Sequence, residues 1–457
     1  MSFKQRFNAL REQVNIRLYD SRDFVLGALS RLSFLVALST IVSLIIFHGY
    51  QLTEEQNQTI GLIVRASIGY YLVKFIIEII YDFHPWAFIK ARRWEAILMV
   101  FLVIDILMIN LQGVELLSLL GDAIGVSSLQ SGFMLLLQFY VMIIVFLEFG
   151  KVGERLPDFN LSPPSLLIIS FIILIALGTT LLMLPEMTAG AEALDLVTAL
   201  FTSISASCVT GLSLIDISTV LSFKGQIIVM ILMQLGGLNI ISFAALFAIL
   251  RGGFGMRQQN FMSENLGESM QQSGKLVGAI FRLTLTIELL GAMALGILWF
   301  PHFDSLGNTM FYSIFHSISA FNNAGFSLFS ESLATPGAAY LPNVHWIIAV
   351  LIVLGGIGFG TLSDVLAQPW RKQSIVRSWR GLRLGTKIGL SVAGILLVVG
   401  GAVFALTLGF EGNVGTHLSH SFFQSITART AGFNTIDIGA MAMPALLMMI
   451  FLMFIGG

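Results

Sequence analysis

The fold of this chain is decided by a segment that occurs three times: Phe201-Thr-Ser-Ile-Ser-Ala206, Phe315-His-Ser-Ile-Ser-Ala320 and Phe423-Gln-Ser-Ile-Thr-Ala428. Each copy predicts a half-length helix, because a helix that crosses a bilayer needs about 20 apolar residues. Each copy is followed by a glycine, in turn Gly211, Gly325 and Gly432. The glycines lie roughly 110 residues apart, a domain-scale period longer than that of solenoid repeats. The third copy is one residue shorter between its alanine and its glycine.

A further apolar helix with a Gly-Gly pair follows each glycine, and the pairs are Gly236-Gly237, Gly355-Gly356 and Gly456-Gly457. Each unit therefore predicts a span, a half-length helix, a loop and a second span. One such glycine, or one such pair, more often marks close helix packing. Three copies in phase favour repeated helix–pore loop–helix units.

The chemistry of cation transport explains why such loops contain glycine. A dehydrated cation in a bilayer needs oxygen ligands to replace water, and a ring of backbone carbonyls provides them. Non-helical backbone at membrane depth is tolerated where it lines a cavity, and glycine reaches the backbone angles required. The short helix before each loop directs its negative C-terminal end toward the cation. The candidate ion-binding residues are Val209, Thr210, Gly211, Asn323, Ala324, Gly325, Thr430, Ala431 and Gly432.

The composition of the chain is that of a membrane protein. Of its 457 residues, 56% are hydrophobic and 11% are charged, with a mean hydropathy of +0.86, whereas a soluble domain carries about 25% charged residues. A formal net charge of −1 argues against nucleic acid as a partner. The single cysteine, Cys208, excludes an intramolecular disulfide and a cysteine-based metal site. The histidines form no HExxH or comparable cluster, so neither an enzyme nor a bound cofactor is predicted.

The apolar stretches predict an all-α polytopic membrane protein. A block of about four transmembrane helices precedes the repeats, although its third stretch is short and also fits an interfacial position. The predicted spans are Val25–Phe47, Ile60–Tyr81, Ala96–Leu111, Phe133–Phe149, Leu166–Leu184, Ile227–Leu250, Leu276–Phe300, Trp346–Leu366, Ile388–Leu408 and a last one from Ala445 to the chain end.

Lysine and arginine in the short connections predict the orientation of the spans. The connections Arg251–Lys275 and Arg371–Lys387 are basic and are predicted to face the cytoplasm, as is the N-terminus. Residues 1–24 predict an amphipathic helix on the cytoplasmic membrane face, or else a solvated linker. The outward segments contain Lys224 and Arg429 against the acidic residues Glu186, Glu192, Asp195, Asp216, Asp304, Glu331, Glu411 and Asp437. An acidic vestibule attracts cations, although the positive-inside bias alone also depletes basic residues here.

Four charged residues fall inside the N-terminal block: Arg65, Lys74, Glu78 and Asp105. Charges at membrane depth are costly and are usually paired. Ion pairs, or snorkelling near the interfaces, are favoured over a voltage sensor because the fourth span lacks a repeating arginine series.

At the pore segments the sequence resembles the Trk/Ktr/HKT family of potassium transporters. The resemblance covers about Leu161 to Gly457. It rests on four segments, Cys208–Leu212, Gln234–Gly237, Ser319–Phe326 and Arg429–Thr435. It implies four covalently linked helix–pore–helix repeats around one pseudo-fourfold pore, in a multi-pass protein of the cell inner membrane. It also implies a homodimer that binds cytoplasmic nucleotide-binding regulatory subunits.

The resemblance assigns roles to individual residues. Gly211, Gly325 and Gly432 become filter glycines, and K+ is held by the backbone carbonyls of the candidate residues. Glycine in the first loop goes with K+ selectivity, whereas serine there goes with Na+ transport in some plant members. The family's gating loop begins near Gly456 and Gly457. Only three repeats are present, so the chain is expected to be C-terminally truncated.

The resulting division of the chain has five parts. Residues 1–24 form the N-terminal segment, and residues 25–160 form a transmembrane block of unknown role that is larger than the family minimum. Residues 161–270, 271–380 and 381–457 form the three pore repeats, the last of them incomplete.

The predicted function is that of the pore-forming subunit of a potassium uptake system. One alternative is a Na+-transporting or Na+/K+-coupled member of the same family. Another is a secondary cation transporter, which should place paired polar or charged residues in discontinuous helices. The repeat spans are interpreted as lacking such pairs. A tetrameric channel with one repeat per chain is excluded by several non-identical repeats in one chain.

Overall fold

The structure is a computed structural model of the chain. It describes residues 3–82, 85–93, 96–97, 99–100, 103–104, 163–190, 192–238, 273–303, 305–337, 340–367, 375–409 and 413–456. The chain forms two compact units, Met1–Asp158 and Phe159–Gly457. Within the described ranges the protein is helical, and its one pairing of extended backbone is an isolated antiparallel bridge between Thr188 and Leu221.

The N-terminal unit contains helices α1 (Phe3–Gly49), α2 (Glu54–Tyr81) and α3 (Pro85–Ala91). α1 is one uninterrupted helix of 47 residues, so the predicted amphipathic segment and the first predicted span belong to the same helix. α2 begins at a capping box, in which the Thr53 side chain accepts from the N–H of Gln56 and the Gln56 side chain accepts from the N–H of Thr53. This pair satisfies two backbone donors and fixes where the second span begins.

Polar contacts cross between α1 and α2. Thr40 Oγ1 donates to Ser67 Oγ at 2.8 Å, and the Tyr70 hydroxyl donates to the Leu29 carbonyl at 2.7 Å. Around them lies an apolar cluster formed by Ala37, Ile60, Val64, Ile68, Tyr71, Phe75 and Met99. Hydroxyl groups inside an apolar helix pair are tolerated because each has a hydrogen-bond partner.

Charged residues of the N-terminal unit also pair. Lys74 Nζ lies 3.9 Å from Glu78 Oε1, and Arg92 Nη1 lies 2.9 Å from Glu78 Oε2. The prediction of ion pairs is therefore confirmed for Lys74 and Glu78. Arg65 is exposed, and Asp105 lies outside the described residues.

The helices of the C-terminal unit are α4 (Pro163–Leu182), α5 (Leu196–Ser207), α6 (Ile217–Val220), α7 (Phe223–Gly237), α8 (Ser273–Trp299), α9 (Leu306–Phe321), α10 (Pro342–Gly356), α11 (Phe359–Ala367), α12 (Ile375–Gly381), α13 (Leu384–Thr407), α14 (Val414–Thr427) and α15 (Met443–Ile455). A long helix, a short helix, a loop and a second helix follow one another three times, around α5, α9 and α14. Each short helix packs on the long helix before it. α7 also packs on α9, and α10 packs on α14, so that each repeat touches the next.

Polar residues fix the N-terminal ends of the short helices. Asp195 accepts from the N–H groups of Val197 and Thr198 at the start of α5, Ser305 caps α9 through Asn308, and Asn413 caps α14 through Gly415. The three hexapeptides form the C-terminal ends of these helices. With 12, 16 and 14 residues, the helices are shorter than the about 20 residues that cross a bilayer.

Four described segments are long and apolar enough to cross a membrane, namely Ser21–Gly49, Glu54–Tyr81, Gly278–His302 and Leu384–Thr407. α10 and α11 together form a fifth candidate that is bent by 98°. The prediction of one continuous span over Trp346–Leu366 is therefore wrong. Gly358 has a φ of +77° and donates its N–H to the Gly355 carbonyl, a left-handed glycine ending of the kind that stops a helix. With these helices the chain is an all-α polytopic membrane protein.

Parts of the predicted N-terminal block and of the first repeat lie outside the described residues. These are most of Ala96–Leu111, all of Phe133–Phe149, the second half of Ile227–Leu250 and most of the connection Arg251–Lys275.

Candidate functional site: three glycine loops

Three short loops, one after each short helix, contain all of the predicted ion-binding residues. We name them the glycine loops: Val209–Gly211, Asn323–Gly325 and Thr430–Gly432. In each loop the first residue and the glycine two positions later have positive φ. The two angles are +56° and +76° in the first loop, +56° and +70° in the second, and +96° and +78° in the third. The loops thus share these two backbone conformations although their sequences differ.

Left-handed backbone is unusual for the first residue of each glycine loop. Val209 and Thr430 are β-branched, and a β-branched residue with positive φ is an outlier. Such strain costs about 1–3 kcal/mol per residue and clusters at functional sites, where the surrounding structure imposes it. In the part of the chain that the structure describes, Ser332 is the only other non-glycine residue with positive φ. Backbone strain is therefore concentrated in the glycine loops.

The three glycine loops lie against one another. A Cβ atom added to Gly211 would lie 2.5 Å from the Ala324 carbonyl oxygen and 3.3 Å from Gly325 Cα. A Cβ atom added to Gly325 would lie 2.8 Å from the Ala431 carbonyl oxygen and 3.0 Å from Gly432 Cα. The fold thus brings together three glycines that are far apart in sequence, and the second loop touches both of the others.

Side-chain hydroxyls tie the second and third glycine loops to their own short helices. Ser319 Oγ donates to the Phe326 carbonyl at 2.7 Å, and Thr427 Oγ1 donates to the Phe433 carbonyl at 2.7 Å. Each of these carbonyls belongs to the residue directly after the glycine. The signal for this contact was visible in the sequence, since a hydroxyl residue occupies the same position in all three hexapeptides.

The first glycine loop is held differently. Ser205 occupies the position equivalent to Ser319, but its Oγ is buried and has no hydrogen-bond partner among the described residues. The Thr210 N–H donates to the Ser205 carbonyl at 2.8 Å, as the Ala324 N–H does to the Ser319 carbonyl in the second loop. In the first loop Thr210 Oγ1 adds a bond to the same Ser205 carbonyl at 3.2 Å.

The Gly-Gly pairs end the second helices rather than lying within them. α7 ends at Gly237 and α10 ends at Gly356. A Cβ atom on Gly236 would overlap the Ser207 carbonyl oxygen, and a Cβ atom on Gly355 would overlap the Phe321 carbonyl oxygen. These glycines therefore allow the second helix of a repeat to reach the C-terminal end of its short helix, a packing role beside the glycine loops.

Arg429 lies directly before the third glycine loop. Its Nε donates to the Gly456 carbonyl at 3.2 Å, and its Nη1 donates to the Ala393 carbonyl at 3.3 Å. The guanidinium thus contacts α13 and the end of α15, and does not belong with the outer charges as predicted. Gly456 has a φ of +78° and is the C-cap of α15, whereas Gly457 lies outside the described residues.

Two acidic residues of the predicted outer segments, Asp195 and Asp216, are the N-caps of helices. Hydrogen bonds from Thr198 and Val197 hold the pKa of the exposed Asp195 below its ordinary value. Burial raises the pKa of Asp216, but hydrogen bonds led by that from Ser218 lower it overall. Both carboxyls are therefore ionised at neutral pH. Glu186 forms an ion pair with Lys224 at 3.0 Å, while Asp304 and Glu411 lie outside the described residues.

Histidines in the C-terminal unit serve packing. The buried His316 ring donates from Nδ1 to the Tyr312 carbonyl at 2.8 Å, so its Nε2 is left to accept from Ser327 Oγ at 3.1 Å. His417 Nε2 donates to the Ala405 carbonyl, and His420 Nε2 pairs with the Tyr340 hydroxyl, both at 2.9 Å. Among the described residues no group of three or more histidine, cysteine and acidic side chains is placed to hold a metal ion.

A buried polar cluster lies beside the second glycine loop and is not predicted by the sequence analysis. Glu288 of α8 accepts hydrogen bonds from Gln234 of α7 and from Asn322 at the end of α9. The interpretation that the repeat spans lack paired polar residues is therefore wrong. A lone carboxyl within the apolar stretch of α8 was the available signal, but its partners are 54 and 34 positions away in sequence.

Comparison with known proteins shows a family match over most of the chain. The TrkH family model, described as a cation transport protein, matches residues 137–407 and 410–457. The Ktr system potassium uptake protein B of Vibrio alginolyticus is 38% identical over 302 residues, covering 64% of each chain. The protein of the same name from Bacillus subtilis is 36% identical over 308 residues, covering 65% of each chain. The potassium/sodium uptake protein NtpJ of Enterococcus hirae is 35% identical over 308 residues, again covering 65% of each chain.

The chain thus spans 64 to 65% of the length of these three relatives. Among solved structures, the crystal structure of the potassium transporter TrkH from Vibrio parahaemolyticus aligns with a TM-score of 0.49 and 18% sequence identity. That alignment covers 79% of this chain and 69% of the other.

Proposed function

Because the chain belongs to the TrkH family of cation transport proteins, we propose that it is the pore-forming subunit of a potassium uptake system, with the glycine loops as its selectivity filter. The resemblance predicted from the pore segments is confirmed at the level of the family. The observation that supports the filter is the meeting of three loops that share left-handed backbone at the same two positions. Carbonyl groups of such loops replace the hydration shell of the ion.

The short helices add an electrostatic contribution to the proposed filter. α5, α9 and α14 each end at a glycine loop, so their C-terminal ends converge where the loops meet. A helix C-terminus carries about half of a negative elementary charge. Three such ends stabilise a dehydrated cation without placing a carboxylate in its path. The ionised Asp195 and Asp216 of the outer segments raise the local cation concentration.

K+ is the proposed ion for two reasons. Relatives of the chain from Vibrio alginolyticus and Bacillus subtilis are named potassium uptake proteins. The first loop carries Gly211, where serine goes with Na+ transport in some plant members of the resembled family. The alternative of a Na+-transporting or Na+/K+-coupled protein is favoured by the name of the Enterococcus hirae relative, a potassium/sodium uptake protein.

A secondary cation transporter is the remaining alternative. Its support is the polar cluster at Glu288 and the break between α10 and α11, since such transporters use broken helices with polar residues. The converging glycine loops favour a pore, because they provide ligands from three repeats at one place.

We also propose the setting in which the chain works. It is assigned to the cell inner membrane with a cytoplasmic N-terminus, as a homodimer that binds cytoplasmic nucleotide-binding regulatory subunits at the connections Arg251–Lys275 and Arg371–Lys387. The gate is assigned to Gly456 and Gly457. Cysteine substitutions at Ser269 and Ser374 test the sidedness in a Cys208→Ser background, because the native cysteine is exposed. Both should react with an impermeant thiol reagent only after the cells are opened, and labelling of intact cells would refute this orientation.

Transport measurements with the protein test the proposed function. In a host without K+ uptake systems, it should restore growth at low K+, and the purified protein in liposomes should pass K+ down its gradient without Na+. Empty vector and protein-free liposomes are the controls. Uptake that requires Na+ in a fixed ratio, or equal rates for Na+ and K+, would favour the alternatives.

A further inference from the structure

A ring of hydrogen bonds joins the first and second repeats beside the second glycine loop. Glu288 is 4% exposed. Gln234 Nε2 donates to Glu288 Oε2 at 3.0 Å, and Asn322 Nδ2 donates to Glu288 Oε1 at 3.1 Å. Asn322 Nδ2 also donates to Gln234 Oε1 at 3.2 Å and to the Ile318 carbonyl at 2.9 Å. Side chains from α7, α8 and α9 thus converge on one carboxyl group.

The equivalent positions of the other repeats show that this carboxyl is not needed to pack the helices. Ser317 Oγ donates to the backbone carbonyl of Glu288 at 2.7 Å. In the first repeat Ser203 Oγ donates to the Ile175 carbonyl at 2.9 Å, and in the third Ser425 Oγ donates to the Leu397 carbonyl at 3.0 Å. Ile175, Glu288 and Leu397 are therefore equivalent, and two of the three are apolar. The backbone contact between long and short helix forms with either kind of side chain.

Asn322 is held on two sides. It is the C-cap of α9 and precedes Asn323, which has a φ of +56°. A Cβ atom on Gly237 would overlap the Asn322 side-chain amide, so the end of α7 packs directly on this residue. Glu288 holds the same amide from α8. A shift of the Asn322 backbone would move the second glycine loop, because Asn323, the first residue of that loop, follows directly in the chain.

Burying a carboxyl group inside a helical membrane protein is costly, and such groups mark functional positions. Here the cost is offset by two amide donors, one for each carboxyl oxygen. We propose that Glu288 is a positioning residue for the filter: it fixes Asn322, and through Asn322 the backbone of the second glycine loop, in the geometry that prefers K+ over Na+. This inference rests on the proposed function.

Three variants test the inference. Glu288→Leu places in the second repeat the side chain that the third repeat already carries, so the contact with the short helix is retained while both amides lose their acceptor. Glu288→Gln keeps the size, but one of its two polar atoms is a donor facing an amide donor, so one hydrogen bond is lost. Asn322→Ala removes the amide through which Glu288 is proposed to hold the second glycine loop.

The readout is ion preference, measured as the concentration of Na+ that halves K+ uptake, divided by the KM for K+. We expect Glu288→Gln to lower this ratio by about tenfold, the effect of losing one buried hydrogen bond. Glu288→Leu, which removes both bonds, should lower it at least as much. Asn322→Ala should lower the ratio by a similar factor. Thr284→Val is the matched control, since Thr284 is buried one turn earlier in α8 and is not a partner of Asn322. It should leave the ratio unchanged.

The amount of protein in the membrane is measured for every variant, because a purely structural role would lower that amount and the maximal rate without changing the ratio. A wild-type ratio with Glu288→Gln would overturn the inference while leaving the proposed function intact, and so would a wild-type ratio with Asn322→Ala. If Glu288→Leu does not reach the membrane, Glu288→Gln and Asn322→Ala decide the question. A wild-type protein without preference for K+ would overturn the proposed function, and this inference with it.

Discussion

Gly211→Ser tests the proposed filter most directly. Gly211 has a φ of +76°, and a Cβ atom there would lie 2.5 Å from the Ala324 carbonyl oxygen. The substitution therefore adds conformational strain in the first glycine loop and a collision with the second. Because the Ala324 oxygen belongs to the backbone, the collision is relieved only if one of the two loops moves. Movement of either loop changes the positions of the carbonyls proposed to bind K+.

The size of the effect follows from the strain. A side chain in left-handed backbone costs about 1–3 kcal/mol. At ~1.4 kcal/mol for each factor of ten, this strain corresponds to a change of roughly 5- to 150-fold in the preference of the filter for K+ over Na+. The upper end applies if the loops do not relax. Relaxation lowers the strain but displaces the carbonyls, so a loss of preference is expected in both cases.

The assay is K+ uptake with Na+ competition in a transport-deficient host, with the amount of membrane-inserted protein measured in parallel. Ser213→Ala is the first control, because Ser213 is exposed and its Oγ donates only to the nearby Ile215 carbonyl. Gly337→Ser is the second, because Gly337 also has positive φ, +102°, but an added Cβ would have no atom within 4 Å. Both controls should keep the wild-type preference. If Gly211→Ser kept wild-type uptake and preference while folded, Gly211 would not be a filter residue.

Two further substitutions have matched controls in the chain. Gly355→Ala should lower the melting temperature of the purified protein in detergent, since overpacking against the Phe321 carbonyl costs about 1–3 kcal/mol. Gly394→Ala, where an added Cβ meets nothing within 4 Å, should not lower it, and equal melting temperatures would contradict the close packing. Ser319→Ala should destabilise the protein by about 1 kcal/mol, because it leaves a buried carbonyl without its donor. Ser205→Ala should be nearly neutral, and a larger loss for Ser205 than for Ser319 would refute the assigned anchors.

The sequence predicts the helices and the spacing of the loops because both depend on local composition. Apolar length predicts α8 and α13 to within a few residues, and the repeated hexapeptides predict the ends of α5, α9 and α14. The positions of the glycines indicate where left-handed backbone is required, and Gly211, Gly325 and Gly432 all adopt it.

Contacts between distant segments are not predicted in this way. The break after Gly356 was missed because four glycines in six residues are compatible with a packed helix as well as with a helix end. Arg429 was assigned to the outer surface from its place in the chain, whereas its hydrogen bonds join it to α13 and α15. Glu288 looks like a lone charge in an apolar span until Gln234 and Asn322 are brought beside it by packing of three helices. The errors at Arg429 and Glu288 concern tertiary contacts that no local pattern contains.

The three repeats share a backbone but not the means by which their loops are held. The second glycine loop is fixed by Ser319 and, through Asn322, by Glu288, and it touches both neighbouring loops. In the first loop Ser205 does not form the bond that Ser319 forms, and Ile175 stands in place of Glu288. This loop rests against the second. A disturbance of the second loop therefore reaches both of the others directly. If the loops form the filter, ion preference depends unequally on the three repeats, and Glu288 contacts the residue that precedes the loop with two neighbours.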